Sequence, residues 1–233
     1  MIQAMEWVDG YDLRHLLTPK TLDQVRETVD DDRWDYVNDV IVTRTAEQLR
    51  LKPGVAIAIL RECLTGIAAL HREGLIHADL KPANIMVKRT GNCKIIDFGS
   101  SFSVDDRPPH STWTPRYAAL EVQQGAPPTP ASDLASLGYV LFEMLSGLYP
   151  FSGVHSDEEL IAAKKLLPNQ LQFLLPEDVA RNSLLMNLLS KLIAVRPEDR
   201  FASAEDADLS DHGASAFERE LVKGNLSSEY ENE

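Results

Sequence analysis

Residues 134–146 are strongly apolar, open on Ser132-Asp133 and stop at Gly147. A hydroxyl or carboxylate at the start can accept a free backbone N–H, and a glycine just past the end adopts the left-handed turn that closes a helix. The segment is therefore predicted to be an apolar helix capped at both ends. A second candidate begins at Pro53, a residue that the first turn of a helix tolerates. Ala56, Leu60, Cys63, Leu64, Ile67 and Leu70 then recur at spacings of three and four, on one helical face. This face is predicted to be buried, with Cys63 a packing residue. Hydrophobic residues make up 44% of the 233, enough for one sizeable core or two small ones, which excludes disorder over the whole length.

The remaining pattern is less regular. Residues 1–8 read as a strand, Asp9-Gly10 as a break and residues 12–17 as a short helix. Residues 18–52 form a charged segment containing Asp30-Asp31-Asp32, expected to be an insertion with helical pieces near 22–29 and 35–42. After Gly74 come short apolar runs, Leu75-Ile76, Ile85-Met86-Val87 and Lys94-Ile95-Ile96. The last two flank Thr90-Gly91-Asn92 and predict a hairpin. Further helices are expected over 157–166, 183–194 and 203–208. The fold class is mainly α with a few small β-strands, divided as 1–17, 18–52, 53–210 and an acidic end at 211–233.

Charge narrows the function. With 23 basic and 36 acidic residues the net charge is −13, which opposes a role in neutralising phosphate backbones, so nucleic acid is not an expected partner. Residues 205–233 carry nine acidic and two basic residues, and their last stretch, from Asn225, is expected to be a solvated tail. The longest unbroken aliphatic run, 55–60, is far shorter than the roughly 20 residues a membrane span needs. No basic stretch followed by an apolar one opens the chain, and Cys63 and Cys93 are the only cysteines. A soluble, cytoplasmic protein without a disulfide scaffold is expected.

The most informative stretch is His77-Ala78-Asp79-Leu80-Lys81-Pro82-Ala83-Asn84, followed by Asp97-Phe98-Gly99 eighteen residues after Asp79. An Asp in a loop after an apolar helix can accept a hydroxyl proton. An Asn five residues later and a second Asp across a hairpin offer the hard oxygens that Mg²⁺ prefers. Lys81 supplies a cation for a transferring phosphate, so the set has the parts that phosphoryl transfer requires.

These residues resemble the eukaryotic-type serine/threonine protein kinase family. The family's His-Arg-Asp loop appears as His77-Ala78-Asp79, its metal-binding Asn as Asn84 and its Asp-Phe-Gly unaltered at 97–99. Its Ala-Pro-Glu is similar to Ala119-Leu120-Glu121, preceded by Thr114-Pro115-Arg116-Tyr117. Ser132-Asp133-Leu134 resembles the start of its central helix, and Arg200 the partner of Glu121. The resemblance implies catalytic roles for Asp79, Lys81, Asn84 and Thr114, with Thr114 hydrogen-bonding Asp79 and Lys81. It implies Asn84 and Asp97 as metal ligands, ATP and Mg²⁺ as cofactors and a protein Ser/Thr hydroxyl as acceptor. Asp133 is expected to hold the catalytic loop through backbone N–H groups, His77 to pack, and Glu121 with Arg200 to form a partly buried ion pair.

Met5 to Gly10 resembles the family's hinge strand, which implies that Glu6, Val8, Asp12 and Met86 line the nucleotide. On that likeness the chain corresponds to the larger lobe alone, starting at the hinge, and the smaller lobe with its Gly-rich loop and ATP-anchoring Lys is missing. Such a lobe is expected to bind ATP weakly, to be weakly active or inactive by itself, and to expose Ile2, Met5, Trp7 and Ile85-Met86-Val87 to a possible partner. Two other functions fit less well: a kinase-like scaffold acting by binding alone, and a small-molecule phosphotransferase of the aminoglycoside-kinase type, which shares the His-x-Asp loop. Ala78 departs from the family's Arg, the usual receiver of a phosphorylated activation loop, so activity is expected not to need phosphate on Ser111 or Thr112.

Overall fold

A computed structural model describes residues 7–108 and 112–230, with side chains to residue 223. The chain opens with β1 (Gly10–Asp12), α1 (Leu13–Leu16), α2 (Pro19–Arg26) and α3 (Asp31–Tyr36), then a hairpin of β2 (Val42–Arg44) and β3 (Leu49–Leu51). Next come α4 (Pro53–Arg72), β4 (Leu75–Ile76), β5 (Ile85–Lys88), β6 (Cys93–Ile95) and β7 (Phe102–Ser103). The rest is helical: α5 (Leu120–Gln123), α6 (Pro130–Ser146), α7 (Asp157–Leu174), α8 (Glu177–Ala180), α9 (Ser183–Leu192), α10 (Ala204–Leu209) and α11 (Ala214–Tyr230). The expected class, mainly α with small sheets, is what forms.

The apolar run at 134–146 lies in α6, and every residue from Ser132 to Ser146 is buried. The helix starts earlier than expected. Thr129 is the cap: its side chain accepts from the Ser132 N–H while Ser132 Oγ accepts from the Thr129 N–H, with Pro130 in the first turn. Asp133 is therefore not spent on capping and is free to reach another loop. Gly147, at φ 67°, ends the helix as predicted. Gly138 lets α9 come close, since a Cβ there would stand 2.5 Å from Ile193 Cγ2.

The predicted stripe of α4 is buried at Ala56, Leu60, Cys63, Leu64 and Ile67 and packs against α6, α10 and α11. By length and composition α4 could cross a membrane, yet here it is the second core helix, with that face covered by other helices. The predicted hairpin forms between β5 and β6, Ile85 opposite Ile95, and β1 joins it as an outer strand with Asp12 opposite Met86.

Three expectations differ. Residues 1–6 of the expected first strand lie outside the described residues, and the strand that does form begins at Gly10, where a break was expected. Gly10 is needed there because a Cβ would stand 2.2 Å from the Val87 carbonyl oxygen of β5. The charged segment 18–52 is not peripheral: Leu22, Val42, Leu49 and Leu51 are buried in the core and β3 packs on α6. Its second helical piece is cut short, since α3 ends at Tyr36, residues Val37–Ile41 widen into a π-turn and Val42 enters β2. The acidic end carries α11, whose Ala214, Ala216 and Phe217 are buried, because a few apolar residues on one face suffice to dock it on α4, α9 and α10.

Candidate active site

The loop that begins at His77 hangs from the N-terminal end of α6. Asp133 Oδ2 accepts the His77 N–H and Oδ1 the Ala78 N–H, each at 2.9 Å, and His71 Nε2 lies 3.0 Å from Oδ2. This grip fixes Ala78 at φ 67°, a conformation costing an L-residue roughly 1–2 kcal/mol. Asp133 thus has the structural role the resemblance implied. His77 is fully buried, with Nε2 3.2 Å from the Ile96 carbonyl and its ring 5.4 Å from that of Phe98, so it packs as expected. Ala78 clusters with Ile76 and Phe102, leaving no cation at that point of the loop. Ser111 lies outside the described residues, and Thr112 Oγ1 is 2.9 Å from Ser100 Oγ.

Asp79, Lys81 and Thr114 meet. The Thr114 N–H and hydroxyl both donate to Asp79 Oδ1, at 2.9 and 2.7 Å. Lys81 Nζ donates to Asp79 Oδ2 at 2.5 Å and to Thr114 Oγ1 at 3.0 Å. Both carboxylate oxygens are thereby oriented by fixed donors. A hydroxyl brought to this point meets a held carboxylate with an ammonium beside it.

Asn84 closes a short 3-10 turn (Pro82–Asn84) and is buried. Its Nδ2 donates to the Asp79 carbonyl at 2.9 Å, and its own carbonyl accepts the Ile96 N–H at 2.9 Å, which ties the approach to Asp97 to the catalytic loop. Asp97 is exposed, at φ 61°, and its Oδ1 accepts the Gly99 N–H at 3.2 Å. Asn84 Oδ1 and Asp97 Oδ2 take no hydrogen bond from the described residues. They remain as two hard oxygens of the kind that suits Mg²⁺, an ion that usually completes its shell with water and phosphate oxygens. Among the described residues no group of three or more His, Cys, Asp or Glu gathers elsewhere for a metal.

Of the residues that the resemblance assigned to the nucleotide, strand pairing sets Asp12 opposite Met86, and Val8 lies just before β1. Asp12 Oδ1 accepts the His15 N–H at 2.8 Å and caps α1, leaving its second oxygen for a ligand. Glu6 lies outside the described residues, as do Ile2 and Met5. Of the surface expected to be exposed, Trp7 is 89% exposed, Met86 and Val87 are half-buried, and Ile85 is buried as a member of the core.

The segment after Thr114 is anchored through Glu121 and Arg200. Arg200 donates through Nη1 and Nη2 to the two Glu121 oxygens, both at 2.7 Å, and also to the Ala131 and Ala194 carbonyls at 2.9 Å, so this expected ion pair is present and fully hydrogen-bonded. A groove of about 560 Å³ opens beside Thr114, between Pro115, Arg116 and the loop and helix start bearing Phe151, Val154 and Asp157.

Sequence reasoning missed two residues here. Lys164 of α7 is buried, donating to the Ala118 carbonyl at 2.6 Å and the Arg116 carbonyl at 3.1 Å, with its ammonium 4.2 and 4.7 Å from the Tyr139 and Phe151 ring centres. Burial pulls it down to about 7, against the Glu121 charge and with help from Arg116 and Arg200. A Lys-Lys pair on an amphipathic helix gives no sign of this. Glu143 is also buried, accepting the Tyr117 hydroxyl at 2.6 Å. As the sole charge within the apolar run 134–146, it carried a signal that could have found it.

The sequence pattern of the protein kinase domain matches residues 15–209. A serine/threonine-protein kinase of Corynebacterium efficiens, drp72, is 34% identical over 156 residues, covering 65% of this chain and 29% of that protein. The cAMP-dependent protein kinase catalytic subunit of Dictyostelium discoideum is 31% identical over 67% of this chain and 24% of its own length. The serine/threonine-protein kinase PknL of Mycobacterium tuberculosis is 33% identical over 66% of this chain and 39% of its own length. The chain thus spans about a quarter to two fifths of the curated relatives it matches.

Proposed function

Because the chain belongs to the protein kinase domain family, we propose that it transfers the γ-phosphate of ATP to serine or threonine hydroxyls of a protein. The observation that carries this reading is the three-way contact of Asp79, Lys81 and Thr114. Asp79 orients the acceptor hydroxyl and takes its proton. Lys81 neutralises charge on the transferring phosphate, and Thr114 holds both groups while forming one wall of the acceptor groove. Asn84 and Asp97 would hold Mg²⁺, which supplies charge neutralisation at the ATP phosphates. Val8, Asp12 and Met86 form the edge on which the nucleoside rests. Peptides reach the site through the groove at Thr114, Pro115 and Arg116. A cytoplasmic setting goes with this reading, since Cys63 and Cys93 are both free thiols.

Transfer of labelled γ-phosphate to a generic protein acceptor, beside calorimetry with Mg-ATP, tests it. Asp79→Asn is expected to lower turnover about 10²- to 10⁴-fold, as loss of a general base does. Asp97→Ala is expected to abolish Mg-dependent nucleotide binding. A chain that neither binds Mg-ATP nor transfers phosphate, yet holds a protein partner tightly, would instead be a kinase-like scaffold.

A further inference from the structure

Residues 18–52 have no part in the site described so far, yet Gln48, at the end of their hairpin turn, is only 4% exposed. Its Nε2 donates to Glu143 Oε1 at 3.0 Å, across 95 residues of chain. The other Glu143 oxygen accepts the Tyr117 hydroxyl. Tyr117 in turn donates its N–H to the Thr114 carbonyl at 3.0 Å. Glu143 is 1% exposed and has no ion-pair partner within 4 Å among the described residues, so two neutral donors hold a carboxylate inside the core. Burial pushes this carboxyl up, and the hydrogen bonds from Tyr117 and Gln48 together with the Arg116 charge bring it part of the way back. A buried carboxylate deprived of one donor must find another or shift, so each donor constrains where the other can sit.

The turn that carries Gln48 has little freedom. Thr45 Oγ1 donates to the Gly147 carbonyl at 3.1 Å, and a Cβ on Gly147 would stand 2.6 Å from Thr45 Cγ2. Arg50 makes two 3.0 Å bonds to Asp178 of α8, and the Tyr149 N–H reaches Glu47 Oε2 at 3.4 Å. Contacts on three sides fix the hairpin against the C-terminal end of α6.

We infer that Gln48 is a positioning residue for the acceptor loop: by holding Glu143 it fixes Tyr117, and through Tyr117 the strand of loop that presents Thr114 to Asp79. The charged segment is therefore a brace for substrate binding. Its kinetic consequence rests on the proposed phosphoryl transfer, but the position of the loop can be measured without any activity.

Amide hydrogen exchange on the full chain tests this. Gln48→Leu, which keeps the volume and removes the donor, is expected to speed exchange at Thr114, Tyr117 and Ala118 about tenfold while α9 keeps its rate. Tyr117→Phe should do the same, and the double variant should be no worse than the more severe single one, because both act through Glu143. Should Gln48→Leu fail to fold, Gln48→Asn, with the amide one carbon short, is expected to move the same amides in the same direction. With a peptide acceptor, Gln48→Leu should raise KM about tenfold and leave kcat within twofold. Unchanged exchange at 114–118, or effects that simply add in the double variant, would overturn the inference. Absence of phosphoryl transfer in the parent protein would count against the proposed function alone, since the exchange results still decide this one.

Discussion

Thr114 Oγ1 lies 2.7 Å from Asp79 Oδ1, although 35 residues of chain separate the two. The contact runs beside a second one, from the Thr114 N–H to the same carboxylate oxygen, and the Thr114 hydroxyl also accepts from Lys81. A substitution at this hydroxyl therefore disturbs three groups together.

Thr114→Val keeps the shape of the side chain and removes its hydroxyl. Phosphoryl transfer measured as kcat/KM is expected to fall about tenfold to a hundredfold, since a small misplacement of a reacting group has costs of this order. Thr114→Ser, which restores the hydroxyl, is expected to recover most of the loss. Equal losses in the two variants would show that the hydroxyl is not what matters.

Glu121→Gln leaves Arg200 charged in the core, with its bonds to the Ala131 and Ala194 carbonyls but without its counter-charge. A loss of about 3–5 kcal/mol in urea unfolding is expected. The double variant Glu121→Leu/Arg200→Met should regain a large part, because no charge is then stranded. A double variant as unstable as the sum of the singles would contradict this.

Lys164 makes stability depend on pH in a direction that can be worked out. Its ordinary value is 10.5 and burial brings it to about 7, so between these limits the unfolded chain binds one more proton than the folded one. Stability from this group therefore rises with pH above 7, by up to about 1.4 kcal/mol per unit, and levels off below 7. Urea midpoints between pH 6 and 8.5 should show that slope in the parent and a flatter one in Lys164→Met. Parallel profiles would rule out Lys164 as the source.

Asp133→Asn places an NH₂ group against one of two N–H donors, those of His77 and Ala78. One buried donor is then unsatisfied, at about 1–3 kcal/mol, and the left-handed turn at Ala78 loses part of what holds it. Expected outcomes are a lower melting temperature and turnover reduced more than nucleotide affinity. Turnover unchanged at a temperature where the variant is folded would count against a link between this carboxylate and loop geometry.

The parts of the site legible in the sequence were those written in short, ordered motifs: Asp79, Lys81 and Asn84 in one stretch, and Asp133 and Glu121 at the starts of helices. The hairpin of β5 and β6 was equally plain, because a glycine turn separates two apolar runs. Legibility failed where the partner is remote or the residue type misleads. Gly10 reads as a chain breaker, but its cause is the Val87 carbonyl, which only pairing with β5 brings near. No helix was expected after residue 208, because Ala214, Ala216 and Phe217, which dock α11, stand among acidic and small residues without a clear apolar stripe. Gln48 reads as one more polar residue in a charged segment, and its meaning appears only when Glu143 is seen opposite.

Each end of α6 holds one loop of the candidate site, that of His77 and Ala78 at Asp133 and that of Tyr117 at Glu143. Nine residues of helix lie between them, and the ten steps from Asp133 to Glu143 rise about 15 Å at 1.5 Å per residue. That rod is enclosed along the whole interval, so it acts as a gauge whose length neither loop can alter. Warming should accordingly not produce a half-working species with one loop in register and the other adrift, and function should disappear at the same temperature as the fold.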